Sequence, residues 1–258
     1  MQLCLEEDYR PLVSVIMNAW NGEKYIHESV QSVINQTYEE WEIIFWDNQS
    51  TDQSQRRLLE FNDKRIKYFL ADNHSKLYHA RNLAIEKAQG DLIAFLDVDD
   101  QWAPNKLTQQ VDVFKNKNIG FAYSNYIIKN ERLNTSHLAF NSLKQSAVPI
   151  SSMLKNYRIG MLTLIVRHQT LKKFSISFNP EYEIIGDFDI VTKLASISHG
   201  ACINKPLATY RLHDSNTSFK NEHLMIQELE LWIESIKNHS VLGQKKNLTL
   251  SRNRTNYI

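Results

Sequence analysis

The sequence predicts an α/β fold on a mostly parallel central sheet, with helices on both faces and a small helical extension at the C-terminus. Two observations carry that expectation. Short apolar runs rich in β-branched residues alternate with stretches of helical spacing through the first half of the chain, which is the pattern of βαβ units. The first, second and fourth of these runs each end on a polar residue, Asn18, Asp47 and Asp97. That collects polar groups at the carboxyl edge of a parallel sheet, where ligands bind.

Taken in order, residues 12–17 read as a buried strand. Residues 22–36 follow as a helix with Tyr25, Ile26, Val30, Val33 and Ile34 on one face. Residues 42–46 form a second strand, and Asn48, Gln49, Ser50, Thr51 and Asp52 supply the side chains of a turn and a helix cap. Residues 66–70 are a third strand, 77–89 a helix that Gly90 stops, and 92–96 a fourth strand. Beyond it, residues 125–150 show little periodicity and are expected to form a long loop with short elements. An apolar run at 160–166, a helix at 187–197, a strand at 201–210 and an amphipathic helix at 222–239 complete the reading.

Hydrophobic residues make up 42% and charged residues 23% of the 258, as in an ordinary globular chain. A net charge of +1 gives no case for nucleic acid as a partner. Cys4 and Cys202 lie too far apart in sequence to suggest a metal-ligand pair, and a reducing cytosol is the expected setting. The N-terminus carries Glu6, Glu7 and Asp8 where a signal peptide would be basic and apolar. No stretch approaches the roughly 18 apolar residues of a spanning helix. Lys245, Lys246, Arg252 and Arg254 form a basic end, read either as a solvated tail or as a peripheral contact with an anionic membrane.

The first candidate chemistry is Asp97-Val98-Asp99-Asp100. Alternation along an extended strand puts Asp97 and Asp99 on one side, where two carboxylates repel unless a cation lies between them. Hard oxygen ligands suit Mg²⁺ or Mn²⁺, usually shared with substrate phosphates. A turn capping the next helix would look similar, so the triplet is weak by itself. A second such triplet, Asp187-Phe188-Asp189, stands at the start of the helical stretch 187–197. Neither a dinucleotide G-x-G-x-x-G nor a phosphate loop follows the first strand.

The order of five stretches adds specificity: VSVIMNAWNG at 13–22, SVINQTY at 32–38, EIIFWDNQSTD at 42–52, ARN at 80–82 and FLDVDD at 95–100. Together they resemble the family 2 glycosyltransferases, which have a GT-A fold, a Rossmann-like nucleotide-binding architecture. The resemblance covers about the first 110 residues. It implies a nucleotide-binding half at 1–110 and an acceptor-binding half at 111–220 of one domain, with 221–258 as a helix and basic tail.

The same resemblance implies roles. The loop from Asn18 to Asn21, with Ala19, embraces the nucleotide base, and Asp47 reads its pyrimidine edge. Arg81 and Lys76 lie near the base and phosphates. Asp97 meets ribose and cation, Asp99 the cation directly, and His213 of the YRLH stretch at 210–213 approaches the diphosphate or metal. Asp187 is the catalytic base. Two positions depart from the family: Gly186 stands where relatives often carry glutamate, which leaves Asp189 as an alternative base, and Tyr78 stands where they often carry glycine. The implied activity is an inverting, non-processive transfer from a nucleoside-diphosphate sugar, UDP being favoured, to a saccharide or lipid-linked acceptor. A sugar nucleotidyltransferase and a non-catalytic glycan- or nucleotide-binding protein are the alternatives. The single glycine of the Asn18–Gly22 loop counts against the first.

Overall fold

The computed structural model describes residues 9–143, 154, 157–214, 216 and 222–237. The order of elements is β1 (Val13–Ala19), α1 (Ile26–Ile34), β2 (Trp41–Asp47), α2 (Ser54–Leu59), β3 (Ile66–Leu70), α3 (Leu77–Glu86) and β4 (Leu92–Phe95). After these come β5 (Gln101–Trp102), α4 (Lys106–Asp112), β6 (Ile119–Asn130), β7 (Thr135–Leu138), β8 (Ile165–Arg167) and α5 (His168–Lys173). The chain continues with α6 (Gly186–Ile197), β9 (His199–Leu212) and α7 (Glu222–Lys237).

One sheet organises the molecule, in the order β3-β2-β1-β4-β8-β6-β9-β5, with β7 added beside β6. Its first four strands are parallel, as the alternating pattern predicts. Every residue of β1, β2 and β4 is buried, because helices cover both faces of this half. Beyond β4 the sheet is mixed: β8 runs antiparallel to β4 and β6, whereas β9 is parallel to β6. One buried charge of the parallel half, Glu42, lies at its amino edge. There Glu42 accepts from Ser14 Oγ (2.6 Å) and the Gln89 N–H (2.8 Å) and pairs with Lys67 (2.6 Å). Burial pushes the Glu42 carboxyl up, but the Lys67 and Ser14 contacts hold it below its ordinary value.

The structure differs from the expected long loop with short elements in its first part: residues 125–130 continue the long strand β6, while 135–138 form the short strand β7. The pairing of β6 with β9 is broken by register shifts at Ile119/Phe121, Ser124/Asn125 and Asn125/Ile127. Bulges of this kind erase the two-residue alternation that sequence reading relies on. The apolar run at 160–166 divides into a 3-10 turn, Met161–Thr163, and the start of β8. Among the described residues no helix is long and apolar enough to cross a membrane. Cys202 is buried, and burial raises its thiol, as expected of an inert core group. Cys4 and the basic end with Lys245, Lys246, Arg252 and Arg254 lie outside the described residues.

Candidate active site

The carboxyl ends of β1, β2 and β4 open into a cleft of about 2780 Å³, closed on its far side by β9 and α7. Its first wall is the loop after β1. Asn21 has φ 55, a left-handed conformation that asparagine tolerates better than most residues. There it donates its N–H to Ser50 Oγ (3.0 Å) and accepts the Thr51 N–H on Oδ1 (2.8 Å). The Ala19 carbonyl accepts the Asn48 N–H (2.8 Å). Loop 18–21 and turn 48–52 are thus one laced unit, with Trp20 left 59% exposed at the cleft and in contact with the His74 ring.

Asp47 is placed differently from the sequence reading. Its Oδ1 accepts the Ser50 N–H (2.7 Å) and its Oδ2 the Tyr68 hydroxyl (2.9 Å), and the side chain is buried. It shapes the turn from beneath. This turn presents Asn48, Thr51 and Asp52 to the cleft, and Asn48 is tied in turn to the Ser75 carbonyl (2.7 Å). Asp47 is therefore not positioned to read a base edge directly. Alternation shows which side chains share a face, but Asn48 lies past the end of β2, where the period of two no longer applies.

Downstream of β4 the charges converge. Arg81, buried on α3, pairs with Asp97 (2.5 Å), while the Tyr78 and Phe178 rings lie 5.6 and 5.9 Å from its guanidinium. Asp99 Oδ2 lies 3.0 Å from His213 Nε2, and His213 stacks on Tyr25 at 4.9 Å. Burial and the charge of Asp97 push the Asp99 carboxyl above its ordinary value, with His213 opposing. Asp100 is buried and is pushed well up by that burial and by Asp99 and Asp97, although it accepts the Arg211 N–H (2.9 Å). Arg211 also bonds the Asp99 carbonyl (2.9 Å), Glu131 (2.7 Å) and Glu28 (2.6 Å). It fastens the acidic turn to α1 and to the turn that follows β6. In the YRLH stretch it is thus Arg211, as well as the expected His213, that contacts the acidic turn.

These groups fit a divalent cation in one respect. Asp97 and Asp99 both line the cleft, and their mutual repulsion is the stress a cation relieves. Among the described residues, however, no group of three or more His, Cys, Asp or Glu side chains is arranged to enclose a metal. Asp97 is turned to Arg81 and Asp99 to His213. Lys76 lines the cleft too, but pairs with Glu183 (3.2 Å) and the Glu181 carbonyl (3.1 Å), so it belongs to the loop before α6 and does not join Arg81.

Asp187 lies in the first turn of α6 and lines the cleft, with Oδ1 accepting the Phe188 N–H (2.7 Å). Asp189 turns the other way. It is buried against Lys193 (2.6 Å) and Trp232 Nε1 (3.1 Å). Of the two carboxylates in the second acidic triplet, Asp187 lines the cleft and Asp189 does not.

Comparison with known proteins gives this geometry its context. The family described as Glycosyl transferase family 2 matches residues 14–178. The UDP-Glc:alpha-D-GlcNAc-diphosphoundecaprenol beta-1,3-glucosyltransferase WfgD of Escherichia coli is 33% identical over 252 residues, 93% of this chain and 96% of its own. TarS of S. aureus in complex with UDP-GlcNAc superposes with a TM-score of 0.77 at 21% identity, over 95% of this chain and 74% of that one. The mannosyltransferase PcManGT from Pyrobaculum calidifontis, in complex with GDP-Man and Mn²⁺, gives 0.60 at 18% identity, over 81% of this chain and 59% of that one.

Proposed function

Because this chain belongs to glycosyltransferase family 2, we propose that it moves a sugar from a UDP-sugar to a lipid-linked saccharide, with inversion at the anomeric carbon. One observation supports this reading most directly: Asp187 faces the same cleft as Arg81, Asp97 and Asp99, which brings a base and a diphosphate site together. The WfgD relative names both a UDP-linked donor and a diphosphoundecaprenol acceptor.

In this mechanism an acceptor hydroxyl attacks the anomeric carbon as its bond to the diphosphate oxygen breaks. Asp187 takes the hydroxyl proton during attack, since an alcohol is a poor nucleophile until it is deprotonated. The departing diphosphate gathers negative charge, and Arg81 is the buried cation placed to meet it. Were a Mg²⁺ or Mn²⁺ bound, Asp99, Asp97 and His213 would be the residues to hold it, and it would add to the neutralisation of the leaving diphosphate. Trp20 offers a stacking face for the base, and Asn48 with the backbone of turn 48–51 reads its edge while Asp47 keeps that turn in shape. Residues 1–110 hold the donor in this scheme, and 111–220 receive the acceptor. The reaction takes place at the cytoplasmic face of a membrane, where the basic tail adds peripheral attraction.

The reading is tested by transfer from a panel of UDP-, TDP- and GDP-sugars to GlcNAc-diphosphoundecaprenol, with Mn²⁺ or with EDTA. It predicts transfer from a UDP-sugar that EDTA abolishes. Transfer unchanged by EDTA would remove the metal from the scheme. Failure of every donor to transfer or to raise Tm would return the protein to the binding-module alternative.

A further inference from the structure

Asp187 is carried into the cleft by a short irregular segment, 183–185, that leads into α6. That segment is held from two sides. From α7, Glu228 accepts the Glu183 N–H on Oε1 (2.6 Å) and the Ile184 and Ile185 N–H groups on Oε2 (3.0 and 3.1 Å). The Glu228 side chain is buried and lies at the amino end of α6, where the helix dipole favours a negative charge. The same helix places Trp232 Nε1 on Asp189 Oδ1. It therefore grips α6 both just before and just after Asp187.

From α3, the Tyr78 hydroxyl donates to the Ile184 carbonyl (3.2 Å) and is itself hydrogen-bonded by the Asp187 backbone. Its ring stacks on Phe178 at 5.4 Å. A Cβ on Gly186 would come within 2.5, 2.5 and 2.6 Å of the Tyr78 ring atoms Cδ2, Cε2 and Cζ. Real Cβ atoms do not approach so closely, so tyrosine at 78 requires glycine at 186. The two departures noted in the sequence are one feature: the ring occupies the space a side chain at 186 would fill.

Building on the reading of Asp187 as base, we propose that Glu228 and Tyr78 are positioning residues that together fix where the Asp187 carboxylate stands in the cleft. The helix α7 is then a working part of the active site and not an appendage. Small displacements of a reacting group lower turnover sharply while leaving distant binding contacts alone.

The test uses the full chain in the transfer assay above, with the UDP-sugar that turns over. It compares Glu228→Gln, Tyr78→Phe and Gly186→Ala with Asp187→Asn. Each of the first three should lower kcat about 10- to 100-fold, while UDP affinity stays within about twofold. Adding Glu228→Gln to Asp187→Asn should cost nothing more, because the lost group is already absent. Wild-type kcat in Glu228→Gln beside an inactive Asp187→Asn overturns this proposal and leaves the base assignment standing. Full activity of Asp187→Asn overturns the base assignment and the proposal with it. Should Glu228→Gln fail to fold, Tyr78→Phe decides, since it removes one oxygen and keeps the ring over Gly186. Equal losses of kcat and UDP affinity there would mark general damage and count against positioning.

Discussion

The parallel half of the sheet and the mixed half meet at the cleft, and they bring their side chains to it in different ways. In the parallel half each site residue sits at or just beyond a strand end or early in the helix that follows, a few positions from an apolar run. Asn18, Asn48 and Asp97 arrive there because β1, β2 and β4 share one direction and one edge. In the mixed half the important contacts join distant segments. Arg211 meets the Asp99 carbonyl across 112 residues, and Glu228 meets the Ile184 N–H across 44. In the proposed scheme the first half supplies a binding edge from local pattern, and the second holds the catalytic geometry by tertiary contact. Changes in the two halves should therefore fail differently.

The sharpest break is expected on the acidic turn. Asp99→Asn should lower transfer by about 10²- to 10³-fold, the range for loss of one group that stabilises developing charge, and should erase the difference between Mn²⁺ and EDTA. A variant that kept its metal response would remove Asp99 from the cation site. Next comes Arg211→Met, which strips Glu28, Glu131 and the Asp99 carbonyl of their common donor. Because Glu28 is half exposed, the stability loss should be about 2–3 kcal/mol, below the range for a fully buried pair. Denaturant titration reads this directly, and an unchanged midpoint would show that the network is dispensable.

Smaller effects distinguish the amino edge from the cleft. The folded-state carboxyl of Glu42 is depressed, so its contribution is fully present above its unfolded value of about 4.3 and is lost as pH falls through the lower folded value. Glu42→Gln should cost about 1–2 kcal/mol at pH 7, with the Tm gap to wild type closing on acidification and transfer per folded molecule unchanged. A gap that widened below pH 4 would contradict the assigned direction. Trp20→Ala should alter stability by no more than about 0.5 kcal/mol. UDP affinity should weaken about tenfold through lost stacking. Unaltered UDP binding would place the base elsewhere.

The same contrast explains what the sequence made legible. The βαβ order, the sheet edge and the acidic turn followed from apolar periodicity and from where each run stops. Asp47 misled because polarity at a strand end marks the edge without saying which way the side chain turns. Only the Ser50 and Tyr68 contacts show it facing inward. The strands within 125–138 were hidden by bulges. Glu228 gave no signal, since on α7 it stands among Glu222, Glu230 and Glu234 and reads as one more solvated charge. Gly186 and Tyr78 were visible as departures, but 108 positions apart in the chain they could not be paired until the ring was seen over the glycine.

The division between a binding half and a catalytic half is tested most directly by measuring transfer and Mn²⁺-dependent UDP binding in Asp187→Asn and Asp99→Asn side by side. Asp187→Asn should bind UDP with wild-type metal dependence and lose turnover by about 10²- to 10⁴-fold, while Asp99→Asn should lose the metal dependence of UDP binding itself. Wild-type turnover in Asp187→Asn, or the same binding defect in both variants, would contradict the account.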